Sequence, residues 1–238
     1  LRSIVESRAL RDGFPLPETG AVTFAEMTLE RMRARIVTPE RDYGEVDLPF
    51  VGAHQLGNGL VAIRAAELAL GGPARIDAAA RHVRMPGRFE VIDIAGKKLV
   101  FDVAHNDQSL ISALATLASL SPREETGIIL GVMRRKELRE FAPELWKAAR
   151  YVWLIDPLSG ESDEGSGPAE LLGKIGIENL AGRGIDLALE NTFGGAGSWE
   201  TFFDRVLDSG HPTRVLLVTG SHRTVEACGR ELHRLGLY

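Results

Sequence analysis

Two apolar runs in this chain are too continuous to be strands with one wet face. Gly127 to Val132 reads GIILGV, and Val215 to Val218 reads VLLV. Strands buried on both faces read this way, and they belong to parallel sheets covered by helices. Helical stretches alternate with such runs along most of the chain, which predicts an α/β architecture. With 238 residues, 44% of them apolar, the chain can form one large domain or two modest ones.

Elements follow from local pattern. Alternation around Met32, Ala34 and Ile36, and again at Val46 and Leu48, predicts a hairpin with TPERDYGE as its loop. Apolar residues at helical spacing from Leu60 to Leu70 predict a helix stopped by Gly71, Gly72 and Pro73, with a second helix at about 76–83. An amphipathic helix is also expected in the opening LRSIVESRALRDGF. The turn MPGR, residues 85–88, is the expected domain boundary. Beyond it, FEVIDI and KLVFDV flank Gly96 as a hairpin. Strands TGIILGV, YVWLIDP and RVLLVTGS then alternate with helices at 108–119, ELREFAPELWKAA, AELLGKIG, SWETFFDRVLDSG and RTVEACGRELHRLG. Residues 186–189 read as a short strand or a helical equivalent. Residues 159–168 read as an acidic, Gly/Ser-rich surface loop. Right-handed crossovers would bring Asp102, residues 134–137, Asp156 and Gly220 to His222 to one edge of the sheet.

The strand ending in Asp102 is the most informative for chemistry. Leu99, Val100 and Phe101 lead into Asp102, and His105 and Asn106 precede a helix capped by Asn106 or Asp107. Polar side chains at the carboxyl end of a strand, facing a helix N-terminus, occupy the usual ligand position of an open α/β sheet. Composition narrows the remaining choices. A net charge of -5 without a Lys/Arg block argues against nucleic acid as partner. A single cysteine, Cys228, excludes an internal disulfide and fits a reducing, cytoplasmic setting. No apolar run has the length of a membrane span, and no signal peptide is recognisable. His54, His82, His211, His222 and His233 lack metal-ligand spacing, so no metal site is assigned.

Four clusters fall in a definite order: Gly52-Ala53-His54-Gln55 with Asn58, Pro86-Gly87-Arg88, Asp102-Val103-Ala104-His105-Asn106, and Gly220-Ser221. In order and spacing this resembles the C-terminal half of folylpolyglutamate synthase, sometimes joined with dihydrofolate synthase activity, in the Mur ligase superfamily. The resemblance spans roughly residues 40–230. It implies that residues 1–84 are the incomplete end of a Mur-type central ATPase domain. Residues 85–238 would be the glutamate ligase domain, a Rossmann-like open sheet with helices on both faces.

The resemblance also implies a reaction. ATP, with Mg2+, phosphorylates a carboxyl group of a folate, and the amine of L-glutamate attacks the acyl phosphate. On this reading Asn58, Arg88 and Asp102 bind ATP, His105 and Ser221 meet the glutamate, and His105 with Lys136 serves catalysis. Gln55 is a weaker candidate beside Asn58. Dihydrofolate synthesis is a possible second activity, and the full-length enzyme is expected to be a monomer.

Four departures stand out. Asp107 replaces the family's usual Pro, and Arg135-Lys136-Glu137 replaces D-K-D. The P-loop is missing: five residues before the glycines of Gly96-Lys97 and Gly173-Lys174 stand Val91 and Pro168. The carboxylate and histidine positions that hold magnesium also have no counterpart. The chain is therefore expected to be the tail of a longer ligase, inactive by itself. The alternative is a non-catalytic Mur-type module that binds nucleotide or a partner. A dinucleotide-dependent oxidoreductase is disfavoured, because no G-x-G-x-x-G follows a strand.

Overall fold

The computed structural model describes residues 20–76, 83–136, 138, 140–158, 164–176, 186–190 and 198–238. The helices expected at the start of the chain and at 76–83, and half of the loop at 159–168, lie outside them. The described residues divide into two compact units. The first contains most of the chain before Val83. The second contains Met27–Arg31, Phe50–Ala53 and the described residues from Arg84 onward.

In the first unit β1 (Ala21–Met27), β2 (Met32–Val37) and β3 (Asp42–Leu48) form a three-stranded sheet in that order. The expected hairpin is β2–β3, antiparallel from Met32 opposite Leu48 to Val37 opposite Asp42. Its loop is shorter than TPERDYGE, because Asp42 to Glu45 already belong to β3. Met32, Ala34, Ile36, Val46 and Leu48 are buried, the period of two that a half-covered sheet requires.

Helix α1 (Ala53–Leu70) begins seven residues earlier than the apolar spacing alone suggests and turns an unexpected face inward. Arg64 and Glu67 are buried, whereas Val61, Leu68 and Leu70 are more than half exposed. Hydrogen bonding explains the charged side. Glu67 Oε1 accepts from the Thr38 hydroxyl at 2.6 Å and the Tyr43 hydroxyl at 2.7 Å, and Glu67 Oε2 accepts from Arg64 Nη1 at 3.0 Å. The Tyr43 oxygen in turn accepts from the Ala74 amide at 2.9 Å. A buried carboxylate is tolerated only when satisfied in this way.

The second unit is a six-stranded sheet of order β4-β5-β9-β6-β7-β8. β4 (Arg88–Ile94) and β5 (Lys97–Asp102) form the hairpin predicted around Gly96. Ala95 and Gly96 both have positive φ, as a two-residue hairpin turn demands. β5, β6 (Thr126–Leu130), β7 (Tyr151–Ile155), β8 (Asp186–Glu190) and β9 (Val215–Thr219) are all parallel. The ambiguous segment at 186–189 is thus a strand.

Alternate residues of these strands feed two cores. Val100, Ile128, Leu130, Val152, Leu154 and Leu217 pack with α2 (Asp107–Leu120), α3 (Ala142–Ala148) and α4 (Pro168–Ile175). Leu99, Phe101, Ile129, Trp153, Leu216 and Val218 pack with α5 (Ser198–Leu207) and α6 (His222–Arg234). Met27, Leu29 and Val51 join the first of these cores. Helices therefore cover both faces, and β9 enters between β5 and β6 after the chain has already passed to β8. Helix α3 is shorter than the apolar pattern suggests. The amides of Glu140 and Phe141 just before it are held by Asp107 Oδ1 at 3.0 and 3.1 Å.

The Glu67 cluster has a pH signature. Burial alone would raise the Glu67 carboxyl, but the donors from Thr38, Tyr43 and Arg64 outweigh it and hold it below its usual range. A depressed folded-state pKa adds stability above the unfolded value, and that stability is lost as pH falls through the folded value. Glu67→Gln leaves Arg64 facing an amide and should cost about 1–3 kcal/mol at pH 7. Urea unfolding of the first unit from pH 7 down to pH 3 should show the wild-type advantage shrinking. A pH-independent gap would contradict the assignment.

Candidate functional site

The carboxyl ends of β5, β9 and β6 lie on one edge because the three strands are parallel neighbours. The helices that follow these neighbouring strands leave the edge toward opposite faces: α2 after β5 on one side, α6 after β9 on the other. Such a reversal opens the crevice where open α/β sheets bind ligands. Backbone bonds join the ends. The Gly220 amide donates to the Ala104 carbonyl at 3.0 Å, and the Gly131 amide donates to the Thr219 carbonyl at 3.1 Å. Gly220 has φ of 103°, and a Cβ there would lie 2.4 Å from the Gly131 carbonyl oxygen. Only glycine permits that approach.

Arg88 and Asp102 face each other in the β4–β5 register. The PGR turn closes with the Arg88 amide on the Met85 carbonyl at 3.0 Å, with Gly87 at φ of 65°. Pro before a left-handed glycine is the residue order of a type II turn. A register shift follows between Arg88 and Glu90, and the intervening Phe89 adopts φ of 53° although it is buried. Positive φ at an aromatic residue is strained. Asp102 holds it in place: Oδ2 accepts from the Phe89 amide at 3.0 Å and Oδ1 from the Ala104 amide at 2.9 Å. Burial pushes the Asp102 carboxyl above its usual range, against the opposing pull of those amides and of Arg88. Phe89 is thereby sunk into the core while Arg88 stays exposed. Among the described residues the Arg88 guanidinium has no ion-pair partner within 4.0 Å. A permanently charged fork left open in this way can take a phosphate or carboxylate.

His105 lies three residues beyond the end of β5, half-buried. Its Nδ1 is 2.9 Å from the Val103 carbonyl, and its amide donates to Ser109 Oγ at 3.1 Å. A carbonyl only accepts, so Nδ1 carries the proton and Nε2 is the acceptor of the neutral ring. Asn106 is the cap of α2, with a reciprocal bond pair to Ser109. Ser221 caps α6: its buried hydroxyl accepts from the Thr224 amide at 3.0 Å and meets the Thr224 hydroxyl at 2.8 Å. Thr224 then bonds the Gly131 carbonyl at 2.7 Å. The Ser221 side chain is thus used within the fold, which leaves the backbone amides of the helix start for a ligand. The Thr219 hydroxyl, buried at the end of β9, has no hydrogen-bond partner among the described residues.

Lys136 sits in the loop after β6, in a recess of about 290 Å³ that it lines with Met133, Arg135 and Glu164. Asn58 and Gln55 are in the first unit, on the first two turns of α1, where Asn58 Nδ2 donates to Gln55 Oε1 at 2.9 Å. The structure therefore gathers Arg88, Asp102, His105 and Ser221 at the strand ends of the second unit, with Lys136 on the same edge. Sequence spacing offers no reason to single out His222, yet its ring centroid is 6.1 Å from that of His105. Its position directly after the Gly220-Ser221 turn is the one signal that points to it. Among the described residues no group of three or more His, Cys, Asp or Glu could hold a metal ion. None of their helices is long and apolar enough to cross a membrane.

The architecture and this site define a known family. Residues 87–222, more than half of the chain, match the model of the Mur ligase glutamate ligase domain, and the chain belongs to that family. Its fold is shared by folylpolyglutamate synthase of Mycobacterium tuberculosis complexed with ADP, at 18% identity and a TM-score of 0.74 over 97% of this chain and 52% of that one. Folylpolyglutamate synthase of Thermotoga maritima matches at 18% identity and 0.70 over 98% and 52%. The UDP-N-acetylmuramate-alanine ligase of the same organism matches at 19% and 0.62 over 90% and 46%. The chain thus spans about half the length of these structures. A comparison with curated proteins finds no match.

The double role of the Asp102 carboxylate is open to test. Asp102→Ala removes the acceptor of two buried amides, each costing about 1–3 kcal/mol when unsatisfied. The second unit should lose about 2 kcal/mol or more in urea unfolding. A loss under about 0.5 kcal/mol would mean that Asp102 does not hold the Phe89 bulge.

Proposed function

We propose that this chain is the C-terminal portion of an ATP-dependent ligase that adds L-glutamate to a folate, as the relatives' name suggests. The observation that carries the reading is the exposed Arg88, without an ion-pair partner among the described residues, set beside buried Asp102 on the same strand-end edge as His105, whose Nε2 has no hydrogen-bond partner among them.

The chemistry asks for these groups. Transfer of the γ-phosphoryl group of ATP to a folate carboxylate yields an acyl phosphate and ADP. The glutamate amine then bonds to the acyl carbon, the bond from that carbon to the phosphate oxygen breaks, and inorganic phosphate leaves with one proton released from the amine. Positioned cations and dipoles stabilise both stages. In this proposal Arg88 holds nucleotide phosphates, and Asp102 contributes by fixing the bulge that aims Arg88. His105 Nε2 accepts the proton of the incoming ammonium, and Lys136 offsets charge on phosphate or carboxylate. The α6 start beginning at Ser221 holds a glutamate carboxylate through backbone amides, and Asn58 lies against the adenine. Mg2+ would accompany ATP, but the described residues offer no fitting ligand cluster, so no step here runs through it. The proposal also includes a cytoplasmic, monomeric full-length enzyme, with dihydrofolate synthesis as a second activity to be tested.

Phosphate release provides the test. The 238-residue chain alone should release none from ATP, magnesium, tetrahydrofolate and glutamate. Joined to an upstream P-loop segment, the protein should release phosphate only when folate and glutamate are both present. Arg88→Ala in that longer protein should lower kcat/KM for ATP about 10- to 150-fold, the loss of one charge-assisted contact. Turnover by the chain alone, folate-independent release, or unchanged ATP kinetics in the variant would each count against the reading.

A further inference from the structure

The rings of His105 and His222 stand side by side at the strand ends. The two rings come from different loops, after β5 and after β9, and meet at 6.1 Å between centroids with an interplanar tilt of 41°. Both loops are fixed. The Gly220 amide on the Ala104 carbonyl joins them directly. Ser221 caps α6 immediately before His222, and Thr224 ties the same helix start to the Gly131 carbonyl. The His222 side chain is exposed, so it serves neither of the two cores, and its ring is the neighbour of the His105 ring at the strand ends.

We propose that His222 is a positioning residue for His105. The Nδ1–H bond to the Val103 carbonyl sets the tautomer but leaves the ring free to swing about that hydrogen bond. The His222 ring closes one side of that swing. Nε2, which has no hydrogen-bond partner among the described residues, is then held toward the strand-end crevice, where an ammonium or oxyanion would meet it. A supporting side chain that locks the rotamer of a functional group is how such sites reach usable geometry. The proposal deepens the ligase reading and rests on it for the identity of what meets Nε2. The ring contact itself can be tested without substrate.

The experiment compares the 238-residue chain with its His222→Ala and His222→Phe variants by NMR of the imidazole nitrogens and carbon-bound protons. In the wild type, neutral His105 should show one Nδ1–H tautomer with restricted ring motion. His222→Ala should leave the Nδ1–H tautomer that the Val103 carbonyl sets but free the ring to swing, so that the His105 carbon-bound proton signals average and its ring motion rises, while the fold is retained. His222→Phe keeps a ring in place and should preserve the wild-type His105 pattern. In the longer protein, His222→Ala should lower kcat with little change in the KM for ATP, and His222→Phe should restore much of the rate. Unchanged His105 signals in His222→Ala overturn the proposal, as does a Phe variant that behaves like Ala. Because the NMR uses no ATP, folate or glutamate, its failure leaves the ligase reading standing. A failed ligase assay likewise leaves the ring result intact.

Discussion

The insertion of β9 between β5 and β6 is the constraint on which the second unit depends. It brings a strand made late in the chain beside two made early, and it succeeds only because glycine lines the place where they meet. Gly220 packs against the Gly131 carbonyl oxygen, and a Cβ at Gly131 would fall 2.6 Å from Thr224 Oγ1. With side chains there, the carboxyl ends of β6 and β9 would be forced apart, and the bonds linking Gly220 to Ala104 and Gly131 to Thr219 would be lost. The placement of His105, Ser221 and His222 hangs from this junction, since they lie within three residues of it in sequence or through one hydrogen bond.

Asp102 shows how one side chain can serve fold and function together. Its two oxygens hold the backbone on either side of it, at Phe89 and Ala104, and its burial makes the charged form costly. That cost is offset in part by two amide bonds and by Arg88 nearby. The result is a strained bulge that sends Phe89 into the core and Arg88 into solvent. A ligand-binding arginine placed in this way depends on packing behind it as much as on its own charge.

Much of the second unit was legible in the sequence because its strands are buried on both faces and two of its helices, α2 and α6, carry side-chain caps. VLLV and GIILGV could be little else, and Asn106 announced α2. The turn chemistry of Pro86-Gly87 and Ala95-Gly96 was equally readable in outline. Long-range polar pairing was not. Nothing in the local pattern says that α1 turns Arg64 and Glu67 inward, because their partners Thr38 and Tyr43 come from the hairpin. The same limit hid the approach of the His105 and His222 rings and the bond of Thr224 to the Gly131 carbonyl, pairings set by where β9 enters the sheet. Asp102 was legible as a strand-end carboxylate, but its hold on Phe89 required the register of β4 against β5.

Native-state hydrogen exchange at Gly131 and Gly220 tests most directly whether the site stands on an integral part of the core. Both amides are bonded across strand ends rather than within a helix. If the junction is the constraint described, they should exchange only through global unfolding of the second unit, with the protection and denaturant dependence of core amides in β6 and β9. Exchange by local opening, with free energies far below those of Leu217 or Ile129, would show that the strand ends separate readily and would contradict the account.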